Sequence, residues 1–123
     1  MKKKFELEFP IRTSPRVLFP RLSTAGGLSE WFADNVIIEG QNMFTFVWDG
    51  AAQKAEQSYL RENQVVRYEW IDDDTFFEFR LKTDELTSEL ALMITDFAED
   101  DDKIDSSNLW ESQITRLKHS IGL

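Results

Sequence analysis

The stretch that decides the fold is QVVRYEWIDDDTFFEFRLK, residues 64–82. Large apolar side chains alternate with charged ones in its first half and again in its second half. This period of two is typical of a β-strand with one buried face. The acidic run between the two halves predicts a hairpin loop. The side chains predicted to share the apolar face are Val66, Tyr68 and Trp70 on the first strand and Phe77, Phe79 and Leu81 on the second.

Five further stretches are strand candidates. The first of them lies near the N-terminus, and the other four flank the hairpin. Together with the two hairpin strands, these four make six strands that follow one another at intervals of about ten residues. A series of this kind is typical of an antiparallel meander. For one candidate, residues 53–61, the pattern does not tell which face is buried. The five are residues 5–11, 35–39, 42–48, 53–61 and 86–97.

Two short helices are predicted between the first strand and the meander. Thr13 or Ser14 can cap the first helix, and Pro15 suits its first turn. Pro20 limits this helix to about two turns. The second helix is predicted over GGLSEWF, residues 26–32. Three of its apolar side chains share one face by their spacing of three and four: Leu28, Trp31 and Phe32.

A long helix is predicted after the acidic run Glu99–Asp102. Lys118 and His119 lie in its last turn, where positive charge is favourable to the helix dipole. It is the one element long enough to cover the apolar face of the sheet. We therefore expect an α+β fold in which a curved antiparallel sheet of about seven strands wraps around this helix. Its apolar stripe consists of Trp110, Ile114, Leu117 and Ile121.

Charge and composition exclude several classes of function. The net charge is −9, and after residue 21 the chain carries 8 basic and 21 acidic residues, so that it would repel a nucleic-acid backbone. It has no cysteine, which excludes a thiolate nucleophile or thiolate metal site and fits a reducing cytoplasm. No apolar run approaches the length of a membrane helix. We therefore expect a cytoplasmic protein with neither nucleic-acid binding nor membrane insertion.

The sequence lacks the common catalytic and metal-binding motifs. Its sole histidine, His119, is predicted at a helix end, where a charge–dipole role fits better than general-base chemistry. The acidic runs Asp72–Asp74 and Glu99–Asp102 lack the glycine and terminal glutamate of an EF-hand loop. A hairpin tip and a charge cluster at a helix start explain them. We expect no metal, no cofactor and no catalytic residue.

The order of elements, with these residues, resembles the START-like superfamily, also called the SRPBCC or helix-grip fold. Within it the chain is most similar to the activator-of-Hsp-90-ATPase homologues and to small bacterial START-like proteins. The resemblance covers nearly the whole chain and implies one domain over residues 1–123. Its matching segments are SPRVLFPRLSTAGGLSEWFAD (14–34), FTFVWDG (44–50), VVRYEWIDDD (65–74) and LWESQITRLKHSIG (109–122).

The resemblance implies a cavity between the sheet and the long helix, with the short helices at its mouth. The inward-facing aromatic residues then have two interpretations, as core or as cavity walls. Trp31 and Phe32 likewise either pin the short helices to the sheet or form the mouth. Tyr68 and the indoles of Trp48 and Trp70 could orient an apolar ligand. The predicted cavity walls are Trp31, Phe44, Phe46, Trp48, Tyr68, Trp70, Phe77, Phe79, Trp110 and Ile114.

Three functional hypotheses follow from the resemblance and the aromatic face. The first is a non-catalytic protein that binds a small apolar or aromatic ligand in the cavity. The second is a protein-interaction module similar to a co-chaperone, with a chaperone as its partner. The third is a cyclase-like enzyme, which would need a polar residue deep in the cavity with a perturbed pKa. An open edge, at the first or second strand, could also support a homodimer.

Overall fold

The computed structural model of the protein describes residues 1–123 and has one seven-stranded antiparallel sheet and three α-helices. The predicted α+β architecture and its order, βααββββββα, are confirmed. A 3-10 turn at Asp100–Asp102 leads into the last helix. The elements are β1 (Lys3–Pro10), α1 (Pro15–Ser23), α2 (Ala25–Leu28), β2 (Asn35–Glu39), β3 (Met43–Trp48), β4 (Ala51–Arg61), β5 (Val65–Trp70), β6 (Phe76–Thr83), β7 (Leu90–Ala98) and α3 (Lys103–Ser120).

The sheet is a six-stranded antiparallel meander to which the first strand of the chain adds at one edge. Strands β2 to β7 pair in sequence, and β1 adds to β7, which gives the order β1-β7-β6-β5-β4-β3-β2. The two open edges are therefore β1 and β2, the two strands that the sequence suggested. Pro10 is the last residue of β1, where its missing N–H costs no internal ladder bond.

Both short helices begin at side-chain caps. The Ser14 hydroxyl accepts a hydrogen bond from the Val17 N–H at 3.3 Å, and the Thr24 hydroxyl accepts one from the Gly27 N–H at 2.9 Å. Such caps satisfy N–H groups that have no partner inside a helix. Pro20 lies inside α1, which ends three residues later at Ser23.

Helix α2 is shorter than predicted, since it ends at Leu28 and leaves Trp31 and Phe32 in the following turns. The chain must enter the sheet almost at once, because the Asp34 N–H already bonds to the Val47 carbonyl at 2.9 Å. The Phe32 N–H still bonds to the Leu28 carbonyl at 2.8 Å, which keeps Leu28, Trp31 and Phe32 together in the core.

The last strand also starts later than predicted, at Leu90 rather than at residue 86. The preceding residues form a turn in which the Asp84 carboxylate accepts hydrogen bonds from the N–H groups of Leu86 and Thr87, at 2.8 and 3.0 Å. Leu86 is 95% exposed. Local side-chain capping of backbone donors competes with strand pairing here.

Helix α3 covers one face of the sheet, and the core lies between them. The predicted stripe is confirmed for Trp110, Ile114 and Leu117, which are buried, while Ile121 is half-buried at the helix end. The sheet side of the core contains the inward-facing residues of β3, β5, β6 and β7. No helix of the chain has both the length and the apolar character that a bilayer crossing requires.

Candidate functional site

One cleft lies between α3 and the sheet. Its volume is about 440 Å³, within the range of small-molecule sites, roughly 300–1,000 Å³. Six of its eleven lining residues are hydrophobic. The lining consists of Phe32, Trp48, Gln53, Trp70, Phe77, Asp96, Ser106, Leu109, Trp110, Gln113 and Arg116.

Strand register brings the aromatic part of the wall together. Trp48 ends β3, Trp70 ends β5, and Phe77 is the second residue of β6. Between Trp48 and Trp70 runs β4, whose Ala51 pairs with Trp48 and whose Ala55 pairs with Trp70. Gln53, which lies between these two alanines on the same face of β4, is the β4 residue that lines the cleft with the two indoles.

Phe32 is the centre of the aromatic cluster behind this wall. Its ring lies 5.3 Å from Trp48, 5.1 Å from Phe77 and 5.7 Å from Trp110 between ring centroids. Ring pairs at such distances contribute about 0.5–1.5 kcal/mol each beyond the burial of their area. The wall is therefore rigidly backed by the core.

The Phe32 carbonyl is also the polar anchor of the cleft. It accepts hydrogen bonds from Trp48 Nε1 at 2.8 Å and from Gln113 Nε2 at 3.1 Å. These two bonds join β3 and α3 to the turn that follows α2. The Trp48 indole N–H, which the sequence suggested as a ligand contact, is thus engaged within the protein.

Tyr68, the second suggested polar contact, lies away from the cleft. It is fully buried, and its hydroxyl donates a 2.7 Å hydrogen bond to the Leu22 carbonyl and accepts one from Gln57 Nε2 at 3.2 Å. Burial raises the pKa of this hydroxyl, so it stays protonated and holds α1 against the sheet.

Asp96 is the acidic residue of the cleft. Side chains alternate along β7, so Asp96 lies on the same inward face as Leu92 and Ile94. Its Oδ2 accepts a 2.9 Å hydrogen bond from Trp110 Nε1, and its Oδ1 accepts one of 2.8 Å from the Phe97 N–H. Burial raises the pKa of this carboxyl, and the bond from Trp110 partly opposes the shift.

The structure divides the ten predicted wall residues into two groups. Four of them line the cleft: Trp48, Trp70, Phe77 and Trp110. The other six are buried in the core and do not line it: Trp31, Phe44, Phe46, Tyr68, Phe79 and Ile114. The Trp31 indole N–H donates to the Arg21 carbonyl at 2.8 Å, so this residue fixes α1 to the turn after α2.

Sequence reasoning missed the polar half of the wall. Asp96 carried a usable signal, because it is a charged residue two positions after Ile94 on a face that is otherwise apolar. Gln113 carried a similar one, since it follows Trp110 by three residues on the buried side of α3. The other polar lining residues, Gln53, Ser106 and Arg116, have no distinguishing pattern.

A second hollow lies at the opposite end of the strands, beside the end of α3. It has a volume of about 1,000 Å³, and only three of its nine lining residues are hydrophobic. The nine lining residues include Pro10, Ile11, Ser88 and Lys118. With few apolar groups, it offers little area for an apolar ligand.

A family model described as the START-like superfamily domain matches residues 1–123. The chain belongs to the START-like superfamily. No curated protein matches the sequence.

Solved structures agree with this START-like assignment. A Bacteroides fragilis protein, BfR322, is 33% identical over 99% of this chain and 93% of its own, with a TM-score of 0.68. The Aha1 dimer from Colwellia psychrerythraea is 20% identical over 98% and 97%, with a TM-score of 0.81. The protein MLL2253 from Mesorhizobium loti is 16% identical over 95% of both chains, with a TM-score of 0.77. The last two show a shared START-like fold.

Proposed function

We propose that this START-like protein binds a small apolar or aromatic molecule in the cleft, without catalysis, in the cytoplasm. The observation that carries the proposal is the wall itself: three indole rings and two phenyl rings border one space of about 440 Å³ between sheet and helix. An apolar molecule there would exchange water for aromatic surface, at about 25 cal/mol per Å² of apolar area.

The backing of the wall supports binding without rearrangement. Trp48 and Trp110 are held by hydrogen bonds to the Phe32 carbonyl and to Asp96, and the half-buried rings of Trp48 and Trp70 offer the aromatic surface that a ligand would cover. A preformed site loses little conformational entropy when it is filled. Ligand orientation would then depend on the remaining polar groups of the cleft.

A cyclase-like enzyme is the hypothesis that Asp96 favours, since its carboxyl has a raised pKa and lies in the cleft. Acid–base chemistry on a ligand usually needs a second titratable group with the opposite role. Arg116, the other charged residue of the cleft, is exposed, and a guanidinium donates hydrogen bonds but accepts none. We therefore place binding before catalysis.

The test is calorimetric titration of the protein with 1-naphthylmethanol, a neutral aromatic probe. Binding with a dissociation constant of about a millimolar or tighter is expected for a ligand of this size. Ser106→Trp places an indole in the cleft and should weaken binding at least about tenfold. Ser112→Trp makes the same change at an exposed position of α3 outside the cleft and should bind like the unmodified protein.

Two results would overturn the proposal. One is the absence of binding for the naphthyl probe and for a panel of fatty acids and aromatic compounds. The other is equal affinity of the Ser106→Trp and Ser112→Trp variants, which would place the bound probe elsewhere.

A second candidate function is a co-chaperone-like interaction module. It is supported by the fold shared with the Aha1 dimer at a TM-score of 0.81 and by the net charge of −9. Pull-down with the Hsp-90 homologue of the source organism, followed by an ATPase assay, tests it. Co-purification and a changed ATPase rate, both unaffected by Ser106→Trp, would favour this function over ligand binding.

A homodimer through an open sheet edge is a further proposal. Ile37 and Ile38 on the edge strand β2 are 47% and 45% exposed, and unpaired strand edges can pair with a second copy. Sedimentation equilibrium should show a dimer that Ile37→Lys dissociates. A monomer at all concentrations would contradict it.

A further inference from the structure

Asp96 lies where two hollows meet. It lines the aromatic cleft and also a smaller, polar hollow of about 200 Å³ beside it, and Gln53 and Trp70 line both as well. One side of the carboxylate therefore adjoins aromatic rings, and the other adjoins a polar opening to solvent. A ligand in the cleft can place its apolar body on the rings and a polar group beside Asp96.

No cation of the protein forms an ion pair with Asp96. Lys2 pairs with Asp73 at 3.3 Å, and Lys54 lies 3.8 Å from Glu39. Arg116 lines the cleft but is an exposed residue of α3. Both oxygens of Asp96 accept one hydrogen bond each, from Trp110 Nε1 and the Phe97 N–H, and a carboxylate oxygen can accept a second.

The rings next to Asp96 suit a cation as well. Trp70 and Phe77, with centroids 5.2 Å apart, and Trp110 border the same cleft. Indole and phenyl faces attract an ammonium group within about 6 Å of their centroids, most strongly indole. A carboxylate beside several aromatic faces is therefore complementary to an organic ammonium ion.

The net charge of the protein favours a cationic ligand. The polar hollow beside Asp96 is lined by Lys2 and Lys54 as well as by Asp72 and Asp73, and each lysine is paired with a carboxylate, while the whole chain carries a net charge of −9. Fields of this sign attract cations and repel anions. An anionic ligand would have Arg116 as its only cationic contact in the cleft, at an exposed position where ion pairs contribute little.

We propose that the ligand of the cleft is an apolar or aromatic molecule carrying a protonated amine, whose ammonium group pairs with the Asp96 carboxylate. This inference rests on the proposed function, because it specifies the chemistry of a ligand bound in the same cleft. The ammonium group supplies the charged partner that the partly desolvated carboxylate lacks, and the apolar body covers the half-buried rings of Trp48 and Trp70.

Three probes with the same ring test the inference: 1-naphthylmethylamine, 1-naphthylmethanol and 1-naphthoate, which are cationic, neutral and anionic at pH 7. Calorimetric titration should give the tightest binding for the amine, at least about tenfold tighter than for the alcohol, and the weakest for the acid. A hydrogen-bonded charge pair in a partly buried site contributes a factor of this size.

Two variants assign the preference to Asp96. Asp96→Asn should lower affinity for the amine about tenfold or more and lower affinity for the alcohol by a clearly smaller factor, because only the amine loses a charge pair. Asp72→Asn removes the same charge from the neighbouring hollow and should keep most of the preference for the amine. Saturable binding of the alcohol by Asp96→Asn shows that this variant is folded and keeps its cleft.

The outcomes separate this inference from the proposed function. Binding of the alcohol without a preference for the amine, or a preference that survives Asp96→Asn, overturns the inference and leaves the proposed function standing. Tightest binding of 1-naphthoate would overturn it in favour of an anion contact at Arg116. Failure of all three probes to bind would overturn both.

Discussion

The indole nitrogen of Trp110 donates a 2.9 Å hydrogen bond to Oδ2 of Asp96. This bond joins α3 to β7 at the wall of the cleft, so that the largest ring of the helix and the acidic group of the sheet are held together. Trp110 is 5% exposed, and its position fixes the bond. The aromatic surface and the charge of the cleft therefore have a defined spatial relation.

The pH dependence of stability should report the burial of Asp96. Burial raises its pKa above the ordinary value of 3.8, so the folded state binds more protons than the unfolded state above that pH. The free energy of unfolding therefore falls as pH rises from about 3.8 through the folded pKa, by at most about 1.4 kcal/mol per unit for one group. Relative to the unmodified protein, Asp96→Asn should gain stability over this range in urea titrations.

Asp84 provides the matched control, because its pKa is shifted the other way. Hydrogen bonds from the N–H groups of Thr87 and Leu86 lower the pKa of Asp84, so its contribution is present above the unfolded pKa and is lost as pH falls through the folded pKa. Asp84→Asn should therefore lose stability relative to the unmodified protein as pH rises. The same trend for both variants would contradict the assignment of the two carboxyls.

Removal of the Tyr68 hydroxyl should destabilise the fold. Tyr68→Phe leaves the Leu22 carbonyl without its 2.7 Å donor and Gln57 without its 3.2 Å acceptor. A buried polar group that loses its partner costs about 1–3 kcal/mol. Tyr59→Phe is the control, since Tyr59 is 47% exposed and should change stability by about 0.5 kcal/mol or less. Equal effects in chemical denaturation would contradict the role of Tyr68 in holding α1.

The two adjacent glycines of α2 should differ sharply when changed to alanine. A Cβ at Gly27 would lie 2.1 Å from the Pro20 carbonyl oxygen and 2.7 Å from Arg21 Cα, both backbone atoms. Gly27→Ala should therefore separate α1 from α2 and cost about 1–3 kcal/mol or more. A Cβ at Gly26 meets nothing within 4 Å, so Gly26→Ala should be neutral or slightly stabilising. Similar melting temperatures for the two variants would contradict the close approach.

The main features of the fold could be predicted because they follow from local alternation. Along β5 and β6 every second side chain is apolar, and the stripe of α3 repeats at helical spacing. The buried face of strand β4 could not be predicted from alternation. Its inward residues Gln53, Ala55 and Gln57 are small or polar. Ala55 is fully buried opposite Trp70, and Gln57 Nε2 donates a hydrogen bond to the Ser23 carbonyl at 3.0 Å. A bulge between Gln57 and Tyr59 then shifts its register.

The division of the aromatic residues between core and cleft could not be predicted. Phe46 and Trp48 are on the same face of β3, yet Phe46 is fully buried and only Trp48 lines the cleft. The Phe46 ring is enclosed by rings from other segments, among them Phe32 and Tyr68, and no local pattern encodes such tertiary contacts. Asp96 shows the opposite case, because its place on the apolar face of β7 was visible in the sequence.

The most direct test of ligand binding in the cleft is an NMR titration of the four indole N–H resonances with 1-naphthylmethanol. Trp48, Trp70 and Trp110 line the cleft, whereas Trp31 is fully buried elsewhere in the core. We predict saturable shifts of the three cleft resonances and an unchanged Trp31 resonance. No shift of the three, or a shift of Trp31 as large as theirs, would contradict a ligand site in this cleft.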